Sequence, residues 1–192
     1  EIVDATCPFV SKIHRIVANA GKQNKTVLIA GDKNHPEVMG IVGHCVNDCY
    51  TFKDEKELLS ALEIMLEKKI KDVCVVAQTT FDITLFEKCL KNIKKVYTNA
   101  EIFDTICNAT SERQTEAATL SESSDCMIII GDKHSSNTCK LFSICKRNCE
   151  NTFLVETADD LDLDAVKNAK SIGVTAGAST PARIIKEVLD TM

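Results

Sequence analysis

What this chain lacks narrows its class before anything it contains. The longest uncharged apolar runs, such as Val73–Ala77 and Cys126–Ile130, are five residues, far below the ~20 that a membrane-spanning helix needs. Positive charge is scarce as well: 23 Lys and Arg against 28 Asp and Glu leave a net charge of −5. That balance argues against a general nucleic-acid binder and means that any anionic ligand must be met by local donors. Prolines number three and glycines seven, with no Pro/Gly/Ser-rich linker or low-complexity stretch, so any lobes are predicted to join closely, near 97–100. No signal-peptide pattern is visible, and Glu1-Ile2-Val3 already reads as a strand, so the chain is expected to begin within a larger protein.

Cysteine is plentiful. Ten cysteines without a secretory signature read as reduced thiols or metal ligands of a cytoplasmic protein, not as a disulfide framework. Cys74, Cys89 and Cys126 lie in or beside apolar runs, where free cysteine packs as a small hydrophobe.

The chain also repeats itself. Asp4-Ala5-Thr6-Cys7 returns as Asp104-Thr105-Ile106-Cys107, Gly31-Asp32-Lys33 as Gly131-Asp132-Lys133, and Thr79-Thr80 as Ser179-Thr180. The offset is 100 in each case (107 − 7, 131 − 31, 179 − 79). Repetition at this length predicts two similar lobes, residues 1–97 and 98–192, facing each other across one site and contributing equivalent loops. Short Val/Ile-rich runs alternate with amphipathic stretches throughout, the pattern of β-α units in a parallel sheet. Strands are predicted near 2–3, 26–30, 49–52 and 73–77, and again near 102–103, 126–130, 152–155 and 172–174. Helices fall near 9–20, 36–42, 55–68 and 83–94, then 111–121, 137–146, 161–167 and 181–189. The expected fold class is α/β, as two pseudo-equivalent three-layer α/β/α lobes with four-stranded parallel sheets.

On that reading the repeated motifs stand where strands end and helices begin, the edge at which open α/β sheets bind ligands. A cysteine at a helix N-terminus favours the thiolate, the form that binds metal. The symmetric placement of Cys7 and Cys107 favours ligation over packing, but two thiolates do not complete a usual cluster or zinc set, so another ligand must come from elsewhere. Cys45 with Cys49, echoed by Cys145 with Cys149, offers a rival metal site; their place away from the ligand edge favours packing. His35-Pro36-Glu37 is a well-formed helix start whose imidazole and carboxylate are also fit to bind phosphate and relay a proton. His134-Ser135-Ser136-Asn137 carries more hydroxyl and amide groups than one cap needs and reads as a neutral donor nest for a phosphate. Gln78-Thr79-Thr80 and Ala178-Ser179-Thr180 add hydroxyls, and Gly177 permits close approach of backbone to a ligand. His14 and His44 read as a helix-surface and a helix-end residue, and 53–57 as a solvated helix start with i to i+4 pairs.

Taken in order, Asp-Ala-Thr-Cys-Pro-Phe-Val at 4–10, His-Pro-Glu-Val at 35–38, Gln-Thr-Thr at 78–80, Thr-Ile-Cys-Asn-Ala-Thr at 105–110 with Arg113-Gln114, Ser-Ser-Asn at 135–137 and Thr-Ala-Gly-Ala-Ser-Thr-Pro at 175–181 resemble the LytB, or IspH, family of 4-hydroxy-3-methylbut-2-enyl diphosphate reductases. The resemblance implies a cytoplasmic oxidoreductase of the non-mevalonate isoprenoid pathway that removes the substrate hydroxyl reductively, giving isopentenyl and dimethylallyl diphosphate. It implies a trefoil of three α/β lobes, of which this chain holds the second and third. Cys7 and Cys107 would then be two of the three thiolates on a 4Fe-4S cluster, the third cysteine being absent from this chain. His35, Thr79, Ser135, Ser136, Asn137 and Ser179 would bind the diphosphate, and Glu37 would deliver protons as the catalytic acid. Electrons would come from a donor such as ferredoxin or flavodoxin, with no nucleic acid or membrane as partner. The missing lobe predicts that these residues alone bind a cluster poorly and turn over little. Two rival readings are a two-lobed diphosphate-binding module without redox chemistry and a zinc hydrolase built on Cys7, Cys107 and His35.

Overall fold

The computed structural model of the protein describes residues 3, 4 and 6–192. The chain divides into two compact units, one ending at Cys107 and the other beginning at Asn108. In the first unit α1 (Pro8–Lys22), β1 (Thr26–Ala30), α2 (Pro36–Gly43), β2 (Cys49–Phe52), α3 (Glu55–Glu67), β3 (Val73–Ala77), α4 (Ile83–Val96) and β4 (Glu101–Ile102) follow one another. Their strands form one parallel sheet in the order β2-β1-β3-β4. Every residue of β1 and β3 is buried, as the unbroken apolar runs predicted, because a parallel sheet is covered on both faces. Successive side chains alternate between those faces. Leu28, Ala30, Val75 and Ala77 pack with α3 and α4 through Leu58, Met65, Phe86 and Ile93. Val27, Ile29, Cys74 and Val76 pack with α1 and α2 through Ile13, Val17, Val38 and Ile41. Each fully buried Val, Leu, Ile, Phe or Met among these stabilises the fold by about 1.5–3 kcal/mol.

The second unit comprises α5 (Asn108–Glu122), β5 (Cys126–Ile130), α6 (Ser136–Asn148), β6 (Thr152–Val155), a 3₁₀ turn at Ala158–Asp160, α7 (Leu163–Asn168), β7 (Ile172–Ala176) and α8 (Ala182–Thr191). Its parallel sheet runs β6-β5-β7. Met127 and Ile129 face α5 and α6, whereas Cys126, Ile128 and Ile130 face α7 and α8. Helix starts are fixed by side-chain caps: Asp54, Asp82 and Asp162 accept from the backbone of Glu57, Leu85 and Ala165 at 2.8, 2.9 and 2.9 Å, each worth about 1 kcal/mol.

Among the described residues the sheets hold four and three strands, not four each. The strand expected to open the second lobe, β4, hydrogen-bonds to β3 of the first unit instead. Thr105 secures this arrangement, its Oγ1 accepting from Ala77 N at 2.8 Å and donating to Ala77 O at 2.6 Å. The corresponding strand expected at 2–3 falls partly on Ile2, which lies outside the described residues, and Val3 is in no strand.

The repeat is also less regular than its numbering. Gln78 N and Gly177 N make the same bond, to Ala30 O and Ile130 O, so the turns after β3 and β7 correspond at an offset of 99 (177 − 78). Cys49 pairs with Val27, and Thr152, not Cys149, pairs with Met127. The echo of Cys45 and Cys49 in Cys145 and Cys149 is therefore numerical, because α6, with thirteen residues, is longer than α2, with eight.

Cys45 and Cys49 nonetheless interact. A hydrogen bond from Cys45 brings the Cys49 thiol down to about 7, while the same contact and burial push Cys45 up; burial pushes Cys74 to about 12. Since the thiolate is the nucleophile, alkylation by iodoacetamide followed by peptide mapping is expected to label Cys49 half-maximally near pH 7. Cys45→Ala should shift that midpoint upward, and Cys74 should stay unlabelled in folded protein. His14, on α1, is half-buried and stacks on His44 at 3.9 Å and 10°, an inter-helix contact that the sequence does not disclose.

Candidate functional site

In the first unit the predicted residues converge after β1 and β3. The turn after β1 is built by Asp32, whose Oδ1 accepts from Asn34 N at 2.9 Å while its carbonyl accepts from His35 N at 2.9 Å. His35 then caps α2, its Nδ1 accepting from Glu37 N at 3.2 Å, and Pro36 takes the first helical position, where a missing N–H costs nothing. Glu37 is thereby presented to the turn after β3. Its Oε1 accepts from Thr79 N at 2.7 Å and its Oε2 from Thr79 Oγ1 at 2.8 Å. Two such charge-assisted bonds, each about 1.5–3 kcal/mol, hold the carboxylate in one orientation. Cys107 joins this group from the other side, its N–H donating to Thr79 O at 3.0 Å.

Thus His35, Glu37, Thr79 and Cys107 form one connected set within the first unit. Thr105 supports it by clamping the segment that carries Cys107 onto β3, a role signalled only by the Thr-x-Cys spacing. Gln78, noted in the motif, ties the turns together: its Oε1 accepts from Asp32 N at 3.3 Å and its Nε2 donates to Thr80 Oγ1 at 3.0 Å. Cys7 is the exposed N-cap of α1, and no described contact connects it with this set. Both Cys7 and Cys107 are free thiols. Among the described residues no three His, Cys, Asp or Glu side chains gather as a metal-binding group.

In the second unit Asp132 builds the same turn, accepting from His134 N at 2.6 Å and Ser135 N at 3.0 Å. Ser135 caps α6 by accepting from Thr138 N at 3.4 Å. Asn137 is buried at 7% exposure, yet neither its Nδ2 nor its Oδ1 has a partner. Buried polar groups are almost always paired, so an orphaned amide in the first turn of a thirteen-residue helix marks a place for a ligand's polar atoms. Ser179 is exposed and lines a cavity of about 350 Å³ with Gly131, Asp132, Glu156, Thr180, Pro181 and Ile184.

A family model described as LytB protein matches residues 1–192. The chain belongs to the LytB family. LytB relatives named 4-hydroxy-3-methylbut-2-enyl diphosphate reductase include that of Thermoanaerobacter sp. (strain X514), 43% identical over 189 residues, covering 98% of this chain and 64% of the relative. That of Clostridioides difficile (strain 630) is also 43% identical, covering 98% and 66%. The chain therefore spans just under two thirds of the length of these curated relatives. Among solved LytB structures, one described as the terminal enzyme of the non-mevalonate pathway is 36% identical, with a TM-score of 0.59, covering all of this chain and 67% of the other. The reductase structure from Plasmodium falciparum is 29% identical with a TM-score of 0.88, covering 98% and 58%. Among the described residues no helix is long and apolar enough to cross a membrane.

Proposed function

We propose that these residues form the second and third lobes of a 4-hydroxy-3-methylbut-2-enyl diphosphate reductase, reducing the allylic alcohol of its substrate to isopentenyl and dimethylallyl diphosphate. The observation that carries this reading is the twofold bond from Thr79 to Glu37, with Cys107 tied to the same threonine. It sets a carboxylate, a hydroxyl and a cysteine side by side.

The donor chemistry suits a 4Fe-4S cluster. Cys7 and Cys107 are free, at least partly exposed thiols, each at the residue preceding a helix, and would supply two thiolates. We assign the third to the part of the relatives' length that this chain does not span. When bound, such a cluster supplies electrons and an electron-poor iron to the carbon–oxygen bond. The chain's own residues do the rest. His35 and Thr79 in the first unit and Ser135, Ser136, Asn137 and Ser179 in the second donate to the diphosphate. Glu37 holds the proton that Thr79 Oγ1 passes to the departing hydroxyl. Overall the allylic alcohol takes up two electrons and two protons, and water leaves. The electrons are drawn from a small carrier such as ferredoxin or flavodoxin.

Anaerobic assay with a two-electron reductant tests the lobe assignment. The 192 residues alone are expected to give little or no turnover, and a chain extended to the relatives' full length to turn over normally. Normal turnover by the 192 residues alone would refute the assignment.

A further inference from the structure

The two units differ at one buried point behind their ligand turns. In the first, Val38 and Gln78 fill the space beside Gly31: a Cβ there would lie 2.6 Å from Val38 Cγ2 and 3.1 Å from Gln78 Oε1. At the equivalent place in the second unit stand Thr138 and Gly177. Thr138 has the shape of Val38 but carries a hydroxyl, and it is 1% exposed. Its Oγ1 has no hydrogen-bond partner, and glycine borders it on both sides. A Cβ at Gly131 would stand 2.8 Å from Thr138 Oγ1, and one at Gly177 would overlap it. Gly131, at φ +148°, also adopts a backbone that side-chain-bearing residues avoid. The fold thus keeps a buried hydroxyl where its own sister unit shows that a methyl fits, and clears side chains from around it. An unpaired buried hydroxyl is destabilising, and such a feature is found where function requires it. Thr180 borders the same space, its Oγ1 bonded to Ile130 O at 3.0 Å, and Asn137, with its orphaned amide, is the preceding residue.

We propose that Thr138 is a positioning residue of the anion nest, its hydroxyl reserved for the Gly177–Thr180 turn when diphosphate is bound, so that Ser179 and the first turn of α6 are held at the spacing the anion needs. This rests on the diphosphate-binding reading above and adds to it a residue that does not itself touch the ligand.

The test uses the full-length protein, with inorganic diphosphate as the titrant in calorimetry and Tm read alongside. Thr138→Val, which copies Val38, is expected to raise Tm by about 4 °C while weakening diphosphate binding about tenfold, a difference of about 1.4 kcal/mol. Thr138→Ser keeps the hydroxyl and should bind within about twofold of the unsubstituted protein, a difference below 1 kcal/mol. Opposite movements of Tm and affinity, with rescue by serine, are not what a packing role produces. Equal affinity in Thr138→Val overturns the proposal, as does a loss in Thr138→Ser as large as that in Thr138→Val, which would assign the effect to the methyl. Asn137→Ala serves as the reference for the nest itself. If the unsubstituted protein fails to bind diphosphate, the functional reading falls and the role of Thr138 with it; if it binds and only the Thr138 results fail, the functional reading stands.

Discussion

Glu37→Gln is expected to lower kcat of the full-length protein in the proposed reduction by a factor of about 10²–10⁴, the range set by a positioned general acid, with KM changed little. Glutamine preserves the length and shape of the side chain, and its carbonyl oxygen can still accept from Thr79 N, a bond of 2.7 Å in the native protein. What it loses is the second carboxylate oxygen, which accepts from Thr79 Oγ1 at 2.8 Å; an amide NH₂ at that place donates and cannot take a proton from or return one to the hydroxyl. The variant therefore keeps the fold and the proposed diphosphate donors but breaks the proposed relay at its source. Thr79→Val should show the same kcat-dominated loss with an added rise in KM, because Thr79 is also proposed to donate to the diphosphate. Steady-state kinetics under anaerobic conditions measure both, and an unchanged kcat in Glu37→Gln would remove the carboxyl from the reaction.

The largest effect is expected from Cys107→Ser. A hydroxyl is a poor substitute for thiolate on iron, so the variant should retain its secondary structure by circular dichroism while losing its visible iron–sulfur absorbance and all measurable turnover. Cys7→Ser should behave alike. The comparison that gives this meaning is Cys45→Ser, a thiol of the same unit that faces the α1–α2 core and its neighbour Cys49; it should leave cluster content and rate near those of the unsubstituted protein. The backbone of Cys107 is fixed by its bond to Thr79 O and by the Thr105 clamp on β3, so the substitution removes the sulfur without releasing the segment.

Much of the fold was legible in the sequence because its signals are local. Runs such as Thr26–Ala30, Val73–Ala77 and Cys126–Ile130 announce buried parallel strands, and each became one within its expected bounds. Helix starts at Pro36, Glu55 and Ile83 follow from capping chemistry written in adjacent residues. What stayed hidden depends on partners distant along the chain. A two-residue strand, β4, has no pattern of its own that selects a sheet, and Thr105 bonding to Ala77 decides the matter. The motifs conceal the change of offset from 100 to 99 because length differences between α2 and α6, and between the segments that follow, nearly cancel over the whole repeat. The candidate site shows the same division. His35, Glu37 and Thr79 stand out in their motifs, but the pairing of Glu37 with Thr79 spans 42 residues and emerges only when β1 and β3 lie side by side. Thr138 is inconspicuous in the sequence because a threonine after Ser-Ser-Asn has an ordinary place in a helix; its orphaned hydroxyl and its correspondence to Val38 are properties of the packed turns.

Mössbauer spectroscopy with iron and sulfide quantification, after anaerobic reconstitution of the full-length protein, tests the assignment of Cys7 and Cys107 as two of three thiolates on one cluster. Four irons and four sulfides per chain are predicted, in line with a 4Fe-4S centre, with one iron distinguishable from the other three through its lack of a cysteine ligand, and with the signal lost in Cys7→Ser and Cys107→Ser. A reconstituted protein without bound iron and sulfide, or a cluster that survives both substitutions unchanged, would contradict it.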